Sequence, residues 1–247
     1  MRPASPQRMI LLFTDFGAEG PYLGQMESVL LQHGNRDIVR LMNDAPHFDP
    51  AAGAFLLAAL VPFTPPSSVI LGVVDPGVGG ERSPVALEAD GRWFVGPDNG
   101  LFNTAAARCR RPAWFRIDWR PPSLTSTFHG RDLFAPIAAR IAQRDFTWAH
   151  TPYGGPDLTA WPDEFERVIY FDAYGNAMTG LRYLPTFAGR RLRVGPHCLQ
   201  EARTFSAVGA GTAFWYCNSI GLIEIAVNRG SARAVLDLSL GMAVAFA

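Results

Sequence analysis

The sequence predicts an α/β N-terminal domain with a mostly parallel sheet, followed by an all-β domain. Three observations predict this. Up to about residue 75, continuous apolar strands alternate with helical segments, the pattern of a parallel sheet covered on both faces. Residues 145–165 are rich in Pro, Gly and Thr and break that pattern. Beyond them only short strand-like segments follow. The expected division is therefore 1–150, a linker over 151–165, and 166–247.

Each element has its own signal. RMILLFT (8–14) is a buried strand, and YLGQMESVLLQH (22–33) carries apolar residues at helical spacing. DIVRLM (37–42) is a second strand. PAAGAFLLAALV (50–61) opens with Pro and has an apolar face, as a helix start does. SVILGVV (68–74) is a third strand. PVALEA (84–89) and RWFVG (92–96) flank Asp90-Gly91, a two-residue hairpin signal. RDLFAPIAARIAQR (131–144) returns to helical spacing with Pro136 inside it. In the last third, RVIYFD, RLRVG, AFWYCNS, LIEIAV and AVLDL read as strands.

Bulk composition narrows the function. The 247 residues carry 22 basic and 22 acidic side chains, so formal net charge is zero. That balance does not suit a nucleic-acid partner, which calls for a basic excess. Cys109, Cys198 and Cys217 form no CxxC pair and read as buried small residues. No apolar run is long enough to cross a bilayer, and MRPASPQR precedes the first strand without a signal-peptide pattern. The expectation is a cytoplasmic protein with no membrane partner.

Candidate chemistry sits where buried strands end, because open α/β sheets bind ligands beyond the carboxyl ends of their strands. Asp15 follows the first strand in FTDFG, Asp75 the third in VVDPGVGG, and Asp98 the hairpin in GPDNG. Each also fits an ordinary cap or turn. VVDPGVGGERS lacks the Lys-Ser/Thr ending of a P-loop. It resembles the glycine-rich motif of methyltransferases, but follows the third strand and not the first. STFHGRDLF puts His129 just before a helix, where imidazole can exchange protons near neutral pH. Arg131 and Asp132 beside it also fit a plain charge pair at a helix start. In the β region, YFDAYGNAMTG offers Asp172, Tyr174 and Asn176, and NSIGLIEIAVNRGSA offers Asn218, Ser219 and Glu224. Amide and aromatic groups suit a nucleobase, and hydroxyl and carboxylate groups suit an amino-acid head group. Taken alone, both segments also fit simple turns.

Together the segments LLFTDFG, VVDPGVGG-ER, VGPDNGLF, STFHGRDLFAPIAA, VIYFDAYGNAMT and NSIGLIEIAVNRGSA resemble one family in order over most of the chain. It is the S-adenosylmethionine hydroxide adenosyltransferase family, related to fluorinase and chlorinase. The resemblance implies a C-terminal β-barrel and a homotrimer with active sites at subunit interfaces. It implies S-adenosylmethionine as substrate and no separate cofactor or metal. Asp75, Arg82 and His129 match the residues around the attacking water. Asp15 matches a carboxylate that holds the ribose hydroxyls, and Phe128 an aromatic beside the sugar. Asp172, Tyr174 and Asn176 match contacts to the methionine amine and adenine, and Ser219 a contact to the methionine carboxylate. Glu224 and Val227 lie in the same substrate-binding segment.

The implied reaction is attack of water on C5′, giving adenosine and L-methionine. Water needs orientation and partial proton removal. The roles expected are orientation and deprotonation by Asp75 and His129, with Arg82 holding Asp75 or stabilising developing hydroxide charge. The related halogenases carry uncharged residues where Asp75 stands, and a carboxylate repels a halide, so water is favoured. The alternatives are a halogenase on the same scaffold, a non-catalytic S-adenosylmethionine or adenosine binder, a methyltransferase, and a metal-dependent phosphohydrolase using the Asp residues. Three positions depart from the family: Asn43 stands for a usual His, Gly180 for a usual Asn, and Arg229 for a small residue near the adenine.

Overall fold

The computed structural model describes residues 7–247. The chain divides into two compact units, with the division between Trp161 and Pro162.

The N-terminal unit contains, in chain order, β1 (Ile10–Thr14), α1 (Tyr22–Gln32), β2 (Ile38–Met42), α2 (Pro50–Leu60), β3 (Val69–Val73), β4 (Pro84–Ala89), β5 (Arg92–Pro97), α3 (Asn103–Arg108), β6 (Ala113–Ile117), α4 (Ala135–Ala142) and β7 (His150–Tyr153). The seven strands form one sheet in the order β2-β1-β3-β5-β4-β6-β7. β2, β1, β3 and β5 run parallel, and β4, β6 and β7 extend the sheet by antiparallel pairing.

β1 and β3 are buried along their whole length, which is why their sequences are continuously apolar. Successive side chains still alternate between two cores. Ile10, Leu12, Val69 and Leu71 face Met26, Leu30 and Ile137 of α1 and α4. Leu11, Phe13 and Ile70 face Leu57 of α2 and Ala106 of α3. The helices thus cover both faces. α2 begins as its sequence indicates: Asp49 accepts a hydrogen bond from Ala52 N–H at 2.9 Å, and Pro50 occupies the first turn. The hairpin forms at Asp90-Gly91, whose φ values of 47° and 79° are those of the primed turns that match strand twist.

Some expectations change. The supposed linker contributes β7, which pairs with β6, and Trp161 is tied to Thr104 by a 3.0 Å hydrogen bond. α3 and β6 had no clear periodic signal, being short. The helix after His129 opens as a π turn over Gly130–Phe134 before α4, with Ala135 N–H reaching Gly130 O. Pro136 explains the widened turn, since it offers no N–H to the preceding turn.

The C-terminal unit contains β8 (Phe165–Phe171), β9 (Ala177–Arg182), β10 (Leu192–Val194), β11 (His197–Leu199), β12 (Ala213–Cys217), β13 (Leu222–Val227), α5 (Ala232–Val235) and β14 (Val244–Phe246). The expected closed barrel is instead two antiparallel sheets, β12-β13-β9-β8 and β11-β10-β14. Among the described residues only isolated bridges, Arg167 to Ala243 and Glu201 to Trp215, join their edges. Three-residue strands are too short to carry a continuous closing ladder. Their inner faces share one core around Trp215, Ile223, Ile225 and Leu192. AVLDL is not a strand: Ser231 caps α5 by accepting from Ala234 N–H at 3.2 Å, and the Ala-rich turn that follows favours helix. The cysteines also differ from expectation. Cys198 and Cys217 are exposed and Cys109 is half-buried. The β12 and β10–β11 edges that carry the first two leave their side chains uncovered.

Candidate functional site

Adjacent β1 and β3 send the chain in opposite directions along the sheet, β1 leading to β2 and β3 toward β5. Such a switch point leaves a crevice beyond the strand ends. Asp15 and Asp75 both emerge there and line one cavity of about 300 Å³ with Phe128 and His129.

Asp75 is held from behind. Arg82 Nε lies 3.1 and 3.0 Å from its two carboxylate oxygens, and Nη2 lies 2.5 Å from Oδ2. Their side chains are only 11% and 3% exposed, so the pair is largely desolvated. The same Nη2 lies 2.9 Å from His129 Nδ1. The guanidinium also rests 5.3 Å from the centre of the Phe134 ring, a cation–π contact. Asn99 Nδ2 donates to Val74 O at 2.8 Å and pins the backbone just before Asp75.

A guanidinium only donates, so His129 Nδ1 accepts. The neutral ring then carries its proton on Nε2. Burial and the nearby Arg82 charge both lower the pKa of His129, which favours this neutral form. Asp15 is buried enough that its carboxyl is pushed up, although it accepts from Phe48 N–H at 3.1 Å. Phe48 makes that bond with a positive φ of 59°, a strained backbone for a bulky residue.

The glycine-rich turn after Asp75 serves packing. A side chain on Gly79 would place Cβ 2.4 Å from the Ser126 carbonyl oxygen, and φ there is +79°. The turn therefore lies directly against the segment that carries Phe128 and His129. That segment is fixed by Asp132, which accepts from Thr125 N–H at 3.1 Å and pairs with Arg131 at 2.6 Å. Burial opposes ionisation of Asp132, but the Arg131 and Thr125 hydrogen bonds outweigh it and hold the carboxyl at about 2. Arg131 in turn stacks 5.2 Å from the Phe128 ring centre.

Asp98 does not join this cavity. It accepts from Tyr153 O–H at 2.6 Å. Asn43, at the end of β2, leaves its side-chain oxygen buried without a hydrogen-bond partner. Among the described residues no group of three His, Cys, Asp or Glu side chains is placed to hold a metal ion. No helix among them is long and apolar enough to cross a membrane.

The C-terminal unit has its own cavity of about 570 Å³, lined by Asp172, Tyr174, Asn176 and Val227, together with Phe205, Tyr216 and Arg229. Asp172 shapes it by accepting from Tyr174 N–H, Asn176 N–H and Asn176 Nδ2, each at 2.9 Å. Tyr174 is left 80% exposed. Ser219 sits on an exposed turn and is not part of the lining. Glu224 is buried behind it, bonded to Tyr216 and Asn218. Gly180 has a steric reason: a Cβ there would lie 2.6 Å from Phe165 O, where the register of β8 shifts. An Asn does not fit.

The structure thus gathers Asp15, Asp75, Arg82, Phe128 and His129 in one place and Asp172, Tyr174, Asn176 and Val227 in another. Sequence reasoning missed Phe16, Tyr22 and Phe48 in the first and Phe205 and Tyr216 in the second. Tyr216 had a usable signal, two positions before Asn218 on a strand of alternating faces. Phe48 had none, because its placement depends on an unusual backbone conformation.

Comparison with known proteins finds matches in both units. The SAM hydroxide adenosyltransferase N-terminal domain matches residues 10–150 and the C-terminal domain residues 166–245. A protein of Thermus thermophilus named (R)-S-adenosyl-L-methionine hydrolase is 38% identical, over 96% of this chain and 98% of its own. One of the same name from Salinispora arenicola is 33% identical, over 92% and 93%. The crystal structure of an uncharacterized conserved protein from Thermotoga maritima superposes with a TM-score of 0.85 at 27% identity, covering 96% of this chain and 99% of that one. The chain belongs to the SAM hydroxide adenosyltransferase family.

Proposed function

We infer that this protein is an S-adenosyl-L-methionine hydrolase that forms adenosine and L-methionine. The observation that carries the choice of nucleophile is the buried Asp75 carboxylate on the N-terminal cavity, tied to Arg82 and through it to His129. A fixed negative charge repels a halide and attracts the hydrogens of water.

The water oxygen attacks C5′ as the C5′–S bond breaks. The bonding electron pair goes to sulfur, which becomes the neutral thioether of methionine. One water proton must leave. His129 offers no free lone pair while Nδ1 accepts from Arg82. This supports Asp75 as proton acceptor and His129 Nε2–H as the donor that orients the water oxygen. Arg82 keeps Asp75 aimed. Loss of the sulfonium charge is favoured in a cavity with apolar walls such as Phe16, Tyr22 and Phe128. Asp15 is assigned to the ribose hydroxyls and Phe128 to the sugar face. Asp172, Tyr174, Asn176, Ser219 and Val227 are assigned to the methionine head group and adenine. The family resemblance further supports a homotrimer with active sites at subunit interfaces and no separate cofactor, and the sequence without a membrane-length apolar run or signal-peptide pattern supports a cytoplasmic location.

Turnover of S-adenosylmethionine in ¹⁸O-water tests this reading. The expected products are methionine and adenosine with the label in its 5′ hydroxyl. Halide-dependent 5′-halo-5′-deoxyadenosine, or S-adenosylhomocysteine, would overturn it.

A further inference from the structure

The Tyr216 hydroxyl lies 2.5 Å from Glu224 Oε1, and Asn218 Nδ2 lies 2.7 Å from Oε2. Glu224 is only 2% exposed and does not reach the cavity surface. The direction of each bond follows from chemistry. Asn218 Oδ1 accepts from the N–H groups of Ile220 and Leu222 at 3.1 and 2.9 Å, so its NH₂ must face Glu224. A carboxylate only accepts, and the Tyr216 hydroxyl has a single proton. That proton points at Glu224. The phenolic oxygen is left with lone pairs only, on a side chain that lines the same cavity as the Asp172 carboxylate.

We propose that Glu224 fixes the Tyr216 hydroxyl as a hydrogen-bond acceptor for an amino or ammonium group of the bound substrate. Tyr216 is then a specificity-determining residue and Glu224 its positioning residue. The proposal rests on the hydrolase reading for its substrate, which carries two such donors: the methionine α-ammonium and the adenine 6-amino group. A substrate offering only acceptors at this place meets oxygen against oxygen. The geometry also couples recognition to the loop bearing Ser219, because Asn218 spans Glu224 and that loop.

Glu224→Gln is the decisive variant, because it reverses the polarity while keeping the shape. The Gln carbonyl must accept from Asn218, so its NH₂ faces Tyr216 and the phenolic proton turns into the cavity. In the full chain, KM for S-adenosylmethionine should rise about tenfold, with kcat held within about twofold. Tyr216→Phe removes the acceptor and should raise KM similarly. The double variant should be no worse than either single, since the two residues act as a unit. Calorimetry with adenosine, inosine and methionine separates the donors. If the 6-amino group is the donor, the wild-type preference for adenosine over inosine collapses in Glu224→Gln. If the ammonium is the donor, methionine affinity falls about tenfold and that preference is unchanged.

Unchanged KM and Kd in both Glu224→Gln and Tyr216→Phe overturn the proposal, as does a loss confined to kcat. If Glu224→Gln fails to fold, Tyr216→Phe decides by the same readings. Should the wild type bind these ligands without turnover, the hydrolase reading fails and the Kd values still decide the role of Tyr216. Should it bind none of them, both fall.

Discussion

The two cavities hold their polar groups by opposite means. In the N-terminal cavity full charges are locked together, with Arg82 gripping Asp75 through three contacts and His129 through one. In the C-terminal cavity one buried carboxylate, Glu224, sets the direction of neutral groups, Tyr216 and Asn218. Charge suits a step in which a proton moves and a sulfonium disappears. Fixed direction suits recognition, where donor must meet acceptor. Damage to the first cavity should therefore appear in kcat, and damage to the second in KM.

Asp75→Asn gives the largest expected effect. It keeps the shape and removes the proton acceptor, so kcat should fall by about 10²- to 10⁴-fold with little change in KM. Quantifying adenosine release by chromatography checks this. A kcat within threefold of wild type would remove Asp75 from the chemistry and collapse the contrast between the cavities.

Arg82→Met should act mainly on stability. It strands the Asp75 carboxylate, whose side chain is 3% exposed, without its cation. Breaking one side of a buried pair costs about 3–5 kcal/mol, and urea unfolding would measure it. A double variant, Asp75→Asn with Arg82→Met, should recover part of that loss. If it recovers none, the charge pair is not what makes the first cavity different.

The pH response separates the cavities more finely. His129 has a lowered folded-state pKa, so the unfolded chain takes up the His proton first as pH falls. Stability from this group is complete above the ordinary value of 6.5 and is lost as pH falls toward the folded value. Protonating Nδ1 also sets it against Arg82. The kcat profile should therefore show an acid limb below pH 6.5, and His129→Asn should remove that limb. Glu224 moves the other way. Its pKa is raised, by burial first and by the nearby Asp172 charge, so the folded chain binds its proton more readily than the unfolded chain. Stability from Glu224 is present below its ordinary value of 4.5 and is lost as pH rises through the folded value.

How much was legible in the sequence differs between the two regions for the same reason that they work differently. β1 and β3 could be read from their apolar runs, and Asp15 and Asp75 from their place at strand ends, because the parallel-sheet crevice fixes both. Arg82 and His129 are separated by 47 positions and no periodicity links them; only the family resemblance joined them. The C-terminal strands are as short as three residues, so periodicity hardly identifies β11 and β14. AVLDL misled because a short run of apolar residues looks like strand when the Ser231 cap is overlooked. Glu224 looked like a ligand contact because sequence shows a carboxylate but not its burial.

Gly180→Ala gives the smallest effect and tests the comparison on the recognition side alone. The added Cβ would meet Phe165 Cβ at 2.5 Å and Phe165 O at 2.6 Å, and the oxygen is backbone that cannot swing aside. Strands β8 and β9 must separate locally, at a cost of about 1–3 kcal/mol. β9 also pairs with β13, Glu224 facing Met178 across the ladder. Strain entering β9 thus reaches the strand that polarises Tyr216. The expected outcome is a lower Tm with a modest rise in KM and an unchanged kcat. A fall in kcat at constant KM would mean that the second cavity takes part in the chemical step, and that charge and direction are not divided between the two regions.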